Sequence, residues 1–350
     1  MLDETVRKIL RALQCAPRLP FRRIGEVAGV SEQTAARRYQ ALRRAGALRV
    51  VGMVNPWVYG AAQWVTRIRC RPDRVAPLAD ALARRPDISW AHLASGGSEI
   101  ICVMRSPLGG PREDVLLRQL PRSASVLDLS IDLIIHGYDA PGTAGWTGYG
   151  DSLDAEQVRQ LTSERPPPAA GPPPPPAAED APLLDALAQD GRTTHTRLAE
   201  LTGWSLSRVA RRLESLEGSG TLEYEVELLP ERLGFGLNAI LWLRVAPAHL
   251  ERVGAETARL DEVPFVGAIS GENNLMVSVI TRDPEDFYRF LTTRIAATPG
   301  IDGYDVSISL RHLKKAASLI SRGRLVPPVS VQGPSGGSRH RNAAATDQPR

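Results

Sequence analysis

The side chains best able to do chemistry in this 350-residue sequence are arginines set beside amides and hydroxyls. In SEQTAARR, residues 31–38, Ser31, Gln33, Thr34, Arg37 and Arg38 fall within two helical turns, with Glu32 and Ala36 between them. In SLSRVARR, residues 205–212, Arg208, Arg211 and Arg212 repeat the pattern 174 positions later. An arginine can bond guanine through two N–H groups, a glutamine can bond adenine, and further arginines meet phosphate, so a helix carrying this set can read double-stranded DNA. The same arginines would also solvate an exposed helix face. The elements around them therefore decide the reading.

Those elements spell helix, tight turn, helix. Ile24, Val27 and Ala28 form a short apolar stripe, and Gly29 follows where a helix end needs a left-handed residue. Ser31 can cap the next helix, and Ala35, Tyr39 and Leu42 recur on one face of it. In the second copy, Gly203 and Ser205 precede Val209, Leu213 and Leu216. Gly46 and Gly220 end the second helices, and LRVVGMV and LEYEVELL suit a small β-wing. Ile24 matches Leu198, Leu48 matches Leu222 and Gly60 matches Gly234 in the same register, which indicates internal duplication. The N-terminal part of the second helix of such a unit enters the major groove.

A second repeated pattern follows each helical unit. WVTRIRC reads as a strand, DRVAPLADALARR as a helix with Val75, Leu78, Ala79 and Leu82 on one face, ISWAHLAS and EIICVMR as strands, and EDVLLRQL as a helix. LDLSIDLII closes the unit with apolar residues alternating against Asp128, Ser130 and Asp132. The second half repeats the order with AILWLRV, HLERVGAETARL, VPFVGAIS, NLMVSVI, PEDFYRFLTTRI and YDVSISL. The order βαββαβ implies a ferredoxin-like antiparallel sheet with helices on one face and an open face available for pairing. The expected fold class is α+β, with two winged helix–turn–helix domains and two ferredoxin-like βαββαβ domains in tandem. The expected boundaries are 1–60 for the first winged helix–turn–helix, 61–140 for the first ferredoxin-like domain and 141–179 for a connector with a Pro-rich linker. The second winged helix–turn–helix spans 180–234, the second ferredoxin-like domain 235–320 and a disordered tail 321–350. The linker is marked by ERPPPAAGPPPPPAAEDAP, whose proline density favours a stiff solvated spacer.

Charge is distributed unevenly. Residues 1–50 carry eleven basic side chains against four acidic ones, whereas residues 180–225 carry five against eight. Neutralising phosphates supplies most non-specific DNA affinity, so the first copy is expected to contribute more of it. Cys15, Cys70 and Cys102 form no CxxC pair, and the six histidines show no metal-ligand spacing, so no metal site is expected. There is no GxGxxG, Walker loop or nucleophile elbow, and GTAGWTGYG, residues 142–150, reads as a connector. No cofactor is expected. No apolar run reaches the roughly 18 residues of a membrane span, and MLDETVRKIL lacks the core of a signal peptide, so a cytoplasmic chain is expected.

These residues resemble the Lrp/AsnC family of transcriptional regulators. LAELTGWS, RRLESLEGSGTL, RLGFG and ISGENNLMVSVI carry the resemblance closely, and IGEVAGVS and ASGGSEIICVM more loosely. It covers residues 1–138 and 180–318 as a tandem duplication. The resemblance implies AsnC-type (RAM) sheet domains, operator binding, a small effector such as an amino acid, and a homo-oligomer built by sheet pairing. The turn between the second and third strands reads G-x-x-D-L in many members, so Gly96, Glu99, Gly271, Asn273 and Asn274 become the effector-site candidates by resemblance. Siroheme decarboxylases look like the same scaffold and give an enzyme alternative. Their pattern includes a His-Asn-Tyr-type segment at the second strand, where this chain has SWAHLAS and PFVGAIS and His92 is the one candidate.

Overall fold

The computed structural model of the chain describes residues 2–107, 126–138, 145–150, 153–162 and 172–327. The first helical unit contains α1 (Glu4–Cys15), α2 (Phe21–Ala28) and α3 (Glu32–Arg44). Gly29 ends α2 with φ 70°, and Ser31 caps α3 by accepting the Thr34 amide at 3.2 Å. Ile24, Ala28, Ala35 and Tyr39 then share a core with Ile9, Leu10 and Leu13 of α1. There follow β1 (Leu48–Val54), β2 (Ala61–Cys70), α4 (Val75–Ala83), β3 (Ile88–Ala94), β4 (Glu99–Pro107), β5 (Val126–Gly137) and α5 (Ala155–Thr162). The helix expected over EDVLLRQL lies outside the described residues.

The second copy repeats the order with α6 (Ala181–Gln189), α7 (His195–Thr202), α8 (Leu206–Gly218) and β6 (Leu222–Leu228). Then come β7 (Leu237–Val245), α9 (Leu250–Ala258), β8 (Phe265–Ile269), β9 (Leu275–Thr281), α10 (Pro284–Arg289) and β10 (Ile301–Lys315). A hairpin of β11 (Ser318–Ser321) and β12 (Arg324–Val326) follows.

The expected wings are absent as separate hairpins among the described residues. Each helical unit supplies one strand, and β1 pairs with β6 antiparallel, from Leu48 opposite Leu228 to Val54 opposite Leu222. A single exposed strand leaves its edge N–H and C=O groups unmet. The other copy meets them, which ties the two helical units together.

The two ferredoxin-like units also join. One contributes strands in the order β3-β4-β2-β5 and the other β8-β9-β7-β10. The edges β5 and β8 pair, and so do β10 and β3, closing eight strands into a ring. Closure removes the free sheet edges, and an eight-stranded barrel is just wide enough to be filled by side chains or to hold one small ligand. Val65, Ala94 and Ile101 from the first half meet Ile240, Trp242, Ile269 and Met276 from the second inside it. The α4 helix covers the outer face of the first unit, and α9 and α10 that of the second. The sheet pairing expected to build an oligomer is thus made within one chain. On β5, Ile134 lies in the interior, and Asp132, two residues away, points to the same side.

Two further segments differ from the sequence expectation. Trp146 and Tyr149, in the expected connector, are buried against α1, with the Gln14 amide donating to the Trp146 carbonyl at 2.8 Å and the Tyr149 hydroxyl donating to Gln14 at 2.6 Å. The segment lacks periodicity, so only tertiary contact reveals that it is core. The expected tail from residue 321 begins instead as strand, since Arg322 and Gly323 form a turn with φ 51° and 66° that folds β12 onto β11. The Leu325 amide then donates to the Gly46 carbonyl at 2.9 Å. Residues 328–350 lie outside the described residues.

Candidate nucleic-acid interface and barrel interior

The reading helices α3 and α8 present their N-terminal turns outward. Ser31, Gln33, Arg37, Arg38, Arg208 and Arg211 are exposed, and Thr34 and Arg212 are half-buried. Their side chains divide by what they touch. Arg37 and Arg211 occupy matching positions and make no ion pair or hydrogen bond among the described residues. Arg38 is paired with Asp3 at 2.9 Å, and Arg212 donates through Nε to Asp180 at 2.6 Å. The hydrogen bonds from Arg212 hold the fully buried Asp180 carboxyl below the usual carboxylate range. Arg208 meets Glu179 at 2.7 Å and lies 4.3 Å from the centre of the Trp204 ring. The Ser31 hydroxyl caps its own helix and donates to the Thr34 hydroxyl at 3.0 Å. Gln33 has no side-chain bond among the described residues.

Within residues 1–50, Arg18, Arg43 and Arg49 are turned toward the second helical unit. Arg18 donates to the carbonyls of Gly191 and Thr193, the latter at 3.2 Å, and Arg192 donates to those of Pro17 and Leu19 at 2.6 and 2.7 Å. The two arginines are 174 positions apart, as are their carbonyl partners, so this is one contact made twice about a pseudo-twofold axis. Arg43 pairs with Asp190 at 2.7 Å, and Arg49 is buried, donating to the Gln189 carbonyl at 2.6 Å. Charge counting could not distinguish arginines that clamp the units from arginines that face outward.

The turn candidates are held largely by their own fold. Glu99, 1% exposed, accepts from Arg67 Nε at 2.7 Å, from Ser95 at 2.7 Å and from Ser307 of the other half at 2.8 Å. The Arg67 guanidinium stacks 4.5 Å from the centre of the Trp242 ring and also reaches Asp305 at 3.0 Å. Asn274 fixes the end of β7 by accepting from the Val245 amide at 2.9 Å and donating to its carbonyl at 2.8 Å. Gly96 takes φ 67°, and a Cβ on Gly271 would stand 2.8 Å from Asp132. Asn273 is half-buried, with no side-chain hydrogen bond among the described residues.

At the opposite end of the barrel interior lies a cavity of about 60 Å³, lined among others by Gln63, Trp90, His92, Asn238, Phe265 and Lys315. His92 and His312 meet across the β3–β10 seam with ring centres 4.5 Å apart. Burial, then the neighbouring His312 and Lys315, pushes the His92 imidazole well below its ordinary range. His312 contacts Glu231 through Nδ1 at 2.5 Å, and Ser309 lies 3.0 Å from His92 Nδ1. His92 read as solitary in the sequence because its partner is 220 residues away and reaches it through barrel closure. Among the described residues no group of three or more His, Cys, Asp or Glu is placed to hold a metal.

The AsnC-type helix–turn–helix model matches residues 2–43 and again 180–217, and the Lrp/AsnC ligand-binding-domain model matches residues 238–319. Both helix–turn–helix units and the second sheet domain thus match models of the Lrp/AsnC family. The transcriptional regulator LrpA of Pyrococcus abyssi is 29% identical to this chain over 136 residues, covering 39% of it and 96% of the relative. The leucine-responsive regulatory protein of Rhizobium meliloti is 28% identical over 146 residues, covering 41% and 94%. A crystal structure of the siroheme decarboxylase NirDL shares the fold over 89% of the chain and 93% of its own length, with a TM-score of 0.51 and 15% identity. Among the described residues no helix is long and apolar enough to cross a membrane.

Proposed function

We propose that this chain is a sequence-specific transcriptional regulator that binds double-stranded DNA in the cytoplasm with its two helix–turn–helix units acting as one fixed pair. The observation that carries this reading is the reciprocal Arg18–Arg192 clamp, reinforced by the β1–β6 ladder, which fixes two reading helices in one pseudo-twofold frame. Paired units of this kind address half-sites about one helical turn, or a multiple of it, apart. Here the two helices differ in sequence, so the two half-sites differ as well. Arg37 and Arg211 are the direct readers, with Gln33 beside Arg37. Ser31, Thr34, Arg38, Arg208 and Arg212 shape the helix start or meet phosphate. Retention of the chain on DNA fragments, followed as salt is raised, tests this. A bipartite protected site and a steep loss of affinity with salt are expected; equal retention across salt, or no retention at low salt, refutes it.

A small effector bound in the double-sheet barrel would control the DNA-bound state. Gly96 and Gly271 would shape the two turns, Glu99 and Asn274 would hold them, and Asn273 would be the side chain free for ligand there. An enzyme on the same scaffold has less support, because the likeness to the decarboxylase extends to fold alone and the 60 Å³ cavity is small for a macrocycle. Sites for even drug-sized ligands run from about 300 Å³.

A further inference from the structure

The barrel cavity has a feature that neither the turn residues nor the DNA-facing helices explain. Lys315 is 3% exposed and lines the cavity, yet it makes no hydrogen bond or ion pair among the described residues. Its ammonium stands 5.9 Å from the centre of the Trp90 ring. Burial pushes the Lys315 ammonium below its usual range, and Glu231, Glu227 and Glu225 oppose that only from a distance, so it has no contacting counter-ion among the described residues. The acids that act on it from a distance are already committed. Glu227 accepts from the amides of Ala317 and Ser318 at 2.8 and 3.0 Å, and Glu231 Oε1 holds His312 at 2.5 Å and Asn238 at 3.2 Å. Burial pushes the Glu225 carboxyl well above its usual range, which favours the neutral acid. None of the three lines the cavity.

The cavity straddles the pseudo-twofold axis, and the two sides have diverged. Gln63 and Asn238 are counterparts, as are Trp90 and Phe265, and all four line it. At the β3–β10 seam, however, stand His92, Ser309 and His312, whereas the matching β5–β8 seam carries Gly267, Ile134 and Gly137. One side carries Lys315 and the Ser309–His92 pair, and the other presents Ile134 and Phe265, flanked by Gln63 and Ser278.

We propose that this cavity binds a short-chain carboxylate, its oxygens on Lys315 and the Ser309–His92 pair and its hydrocarbon end against Ile134 and Phe265. This deepens, and rests on, the reading of the chain as an effector-controlled regulator. A water needs about 10–15 Å³ on this measure, so a 60 Å³ cavity suits a ligand of about three to five carbons. No carboxylate lines the cavity to receive an α-ammonium group, so a simple or 2-oxo acid fits and the corresponding amino acid does not. The site is distinct from the turns at Glu99 and Asn274.

The test is titration calorimetry of the full chain with a matched four-carbon series: butyrate, 2-oxobutyrate, 2-aminobutyrate and butanamide. At least one of the first two should bind saturably, and the amino acid and amide at least about tenfold more weakly. Lys315→Met should weaken acid binding by at least about tenfold while keeping the circular dichroism spectrum. Ser309→Ala, a milder change, should weaken it severalfold. Absence of binding by both acids at about 10 mM, equal binding of acid and amide, or unchanged affinity in Lys315→Met overturns the assignment. DNA retention measured on the same samples separates the two readings. Retained DNA binding without acid binding sinks only the cavity assignment, and acid binding without DNA binding leaves the cavity assigned and sinks the regulator.

Discussion

Replacing Arg37 with alanine removes an exposed cation that no acid in the described structure neutralises, whereas replacing its neighbour Arg38 removes one already paired with Asp3 at 2.9 Å. The two substitutions delete the same charge from the same helix, so the difference between them isolates geometry. If Arg37 bonds a guanine edge through two N–H groups, its loss costs about 1–3 kcal/mol and relaxes preference at one base pair. If it meets a phosphate, the slope of log affinity against log salt falls by about 0.9 and sequence preference is kept. Arg38 and Asp3 are each nearly half exposed, so their pair is worth about 0–1 kcal/mol, and Asp3 keeps its bond from the Val6 amide at 2.8 Å. Arg38→Ala should therefore change DNA affinity by no more than about threefold. Fluorescence anisotropy on a labelled operator at several salt concentrations measures all three quantities. Arg211→Ala should follow Arg37→Ala in kind but less in size, because Arg208 and Arg212 beside it are tied to Glu179 and Asp180. Arg38→Ala costing as much as Arg37→Ala, or Arg37→Ala changing neither affinity nor slope, would refute the reasoning.

Three other outcomes are expected. Glu99→Ala strips a buried carboxylate from Arg67, Ser95 and Ser307 and should destabilise the barrel by about 3 kcal/mol, the low end for a broken buried pair because Arg67 keeps Asp305; a loss below about 1 kcal/mol in denaturant unfolding would contradict this. Arg192→Ala removes two charge-assisted bonds to Pro17 and Leu19 and should cost about 3 kcal/mol and blunt cooperative use of the two half-sites, so an unchanged bipartite footprint would count against the clamp. Burial lowers Lys314 from 10.5 to about 8, so between those values the unfolded chain holds a proton that the folded chain lacks and stability rises with pH. Lys314→Met should flatten that rise by up to about 3 kcal/mol, and parallel pH profiles for the two proteins would exclude it.

The helical units were legible because their signals are local. Gly29 and Gly203 break one helix, Ser31 and Ser205 cap the next, and Ala35, Tyr39, Val209 and Leu213 fall on one face, all within a dozen residues. The duplication and the βαββαβ order of the second half were legible for the same reason, since period and register are properties of the chain alone. The candidate readers were less so. Arg37 and Arg38 are adjacent and chemically identical, and only the position of Asp3 separates them.

Local pattern alone specified the repeat and the helix–turn–helix placement of the arginines, but not α5 or the β11–β12 hairpin. Tertiary structure decided which elements pair, because strand edges carry backbone groups that any compatible edge can satisfy. Thus β1 met β6 in place of a wing, and β5 met β8 and β3 met β10 to close the barrel. Only that closure brings His92 to His312, Glu99 to Ser307, and Lys315 to the wall of a cavity shared by both halves. Those partners lie more than 200 residues apart, and no local pattern encodes such distance.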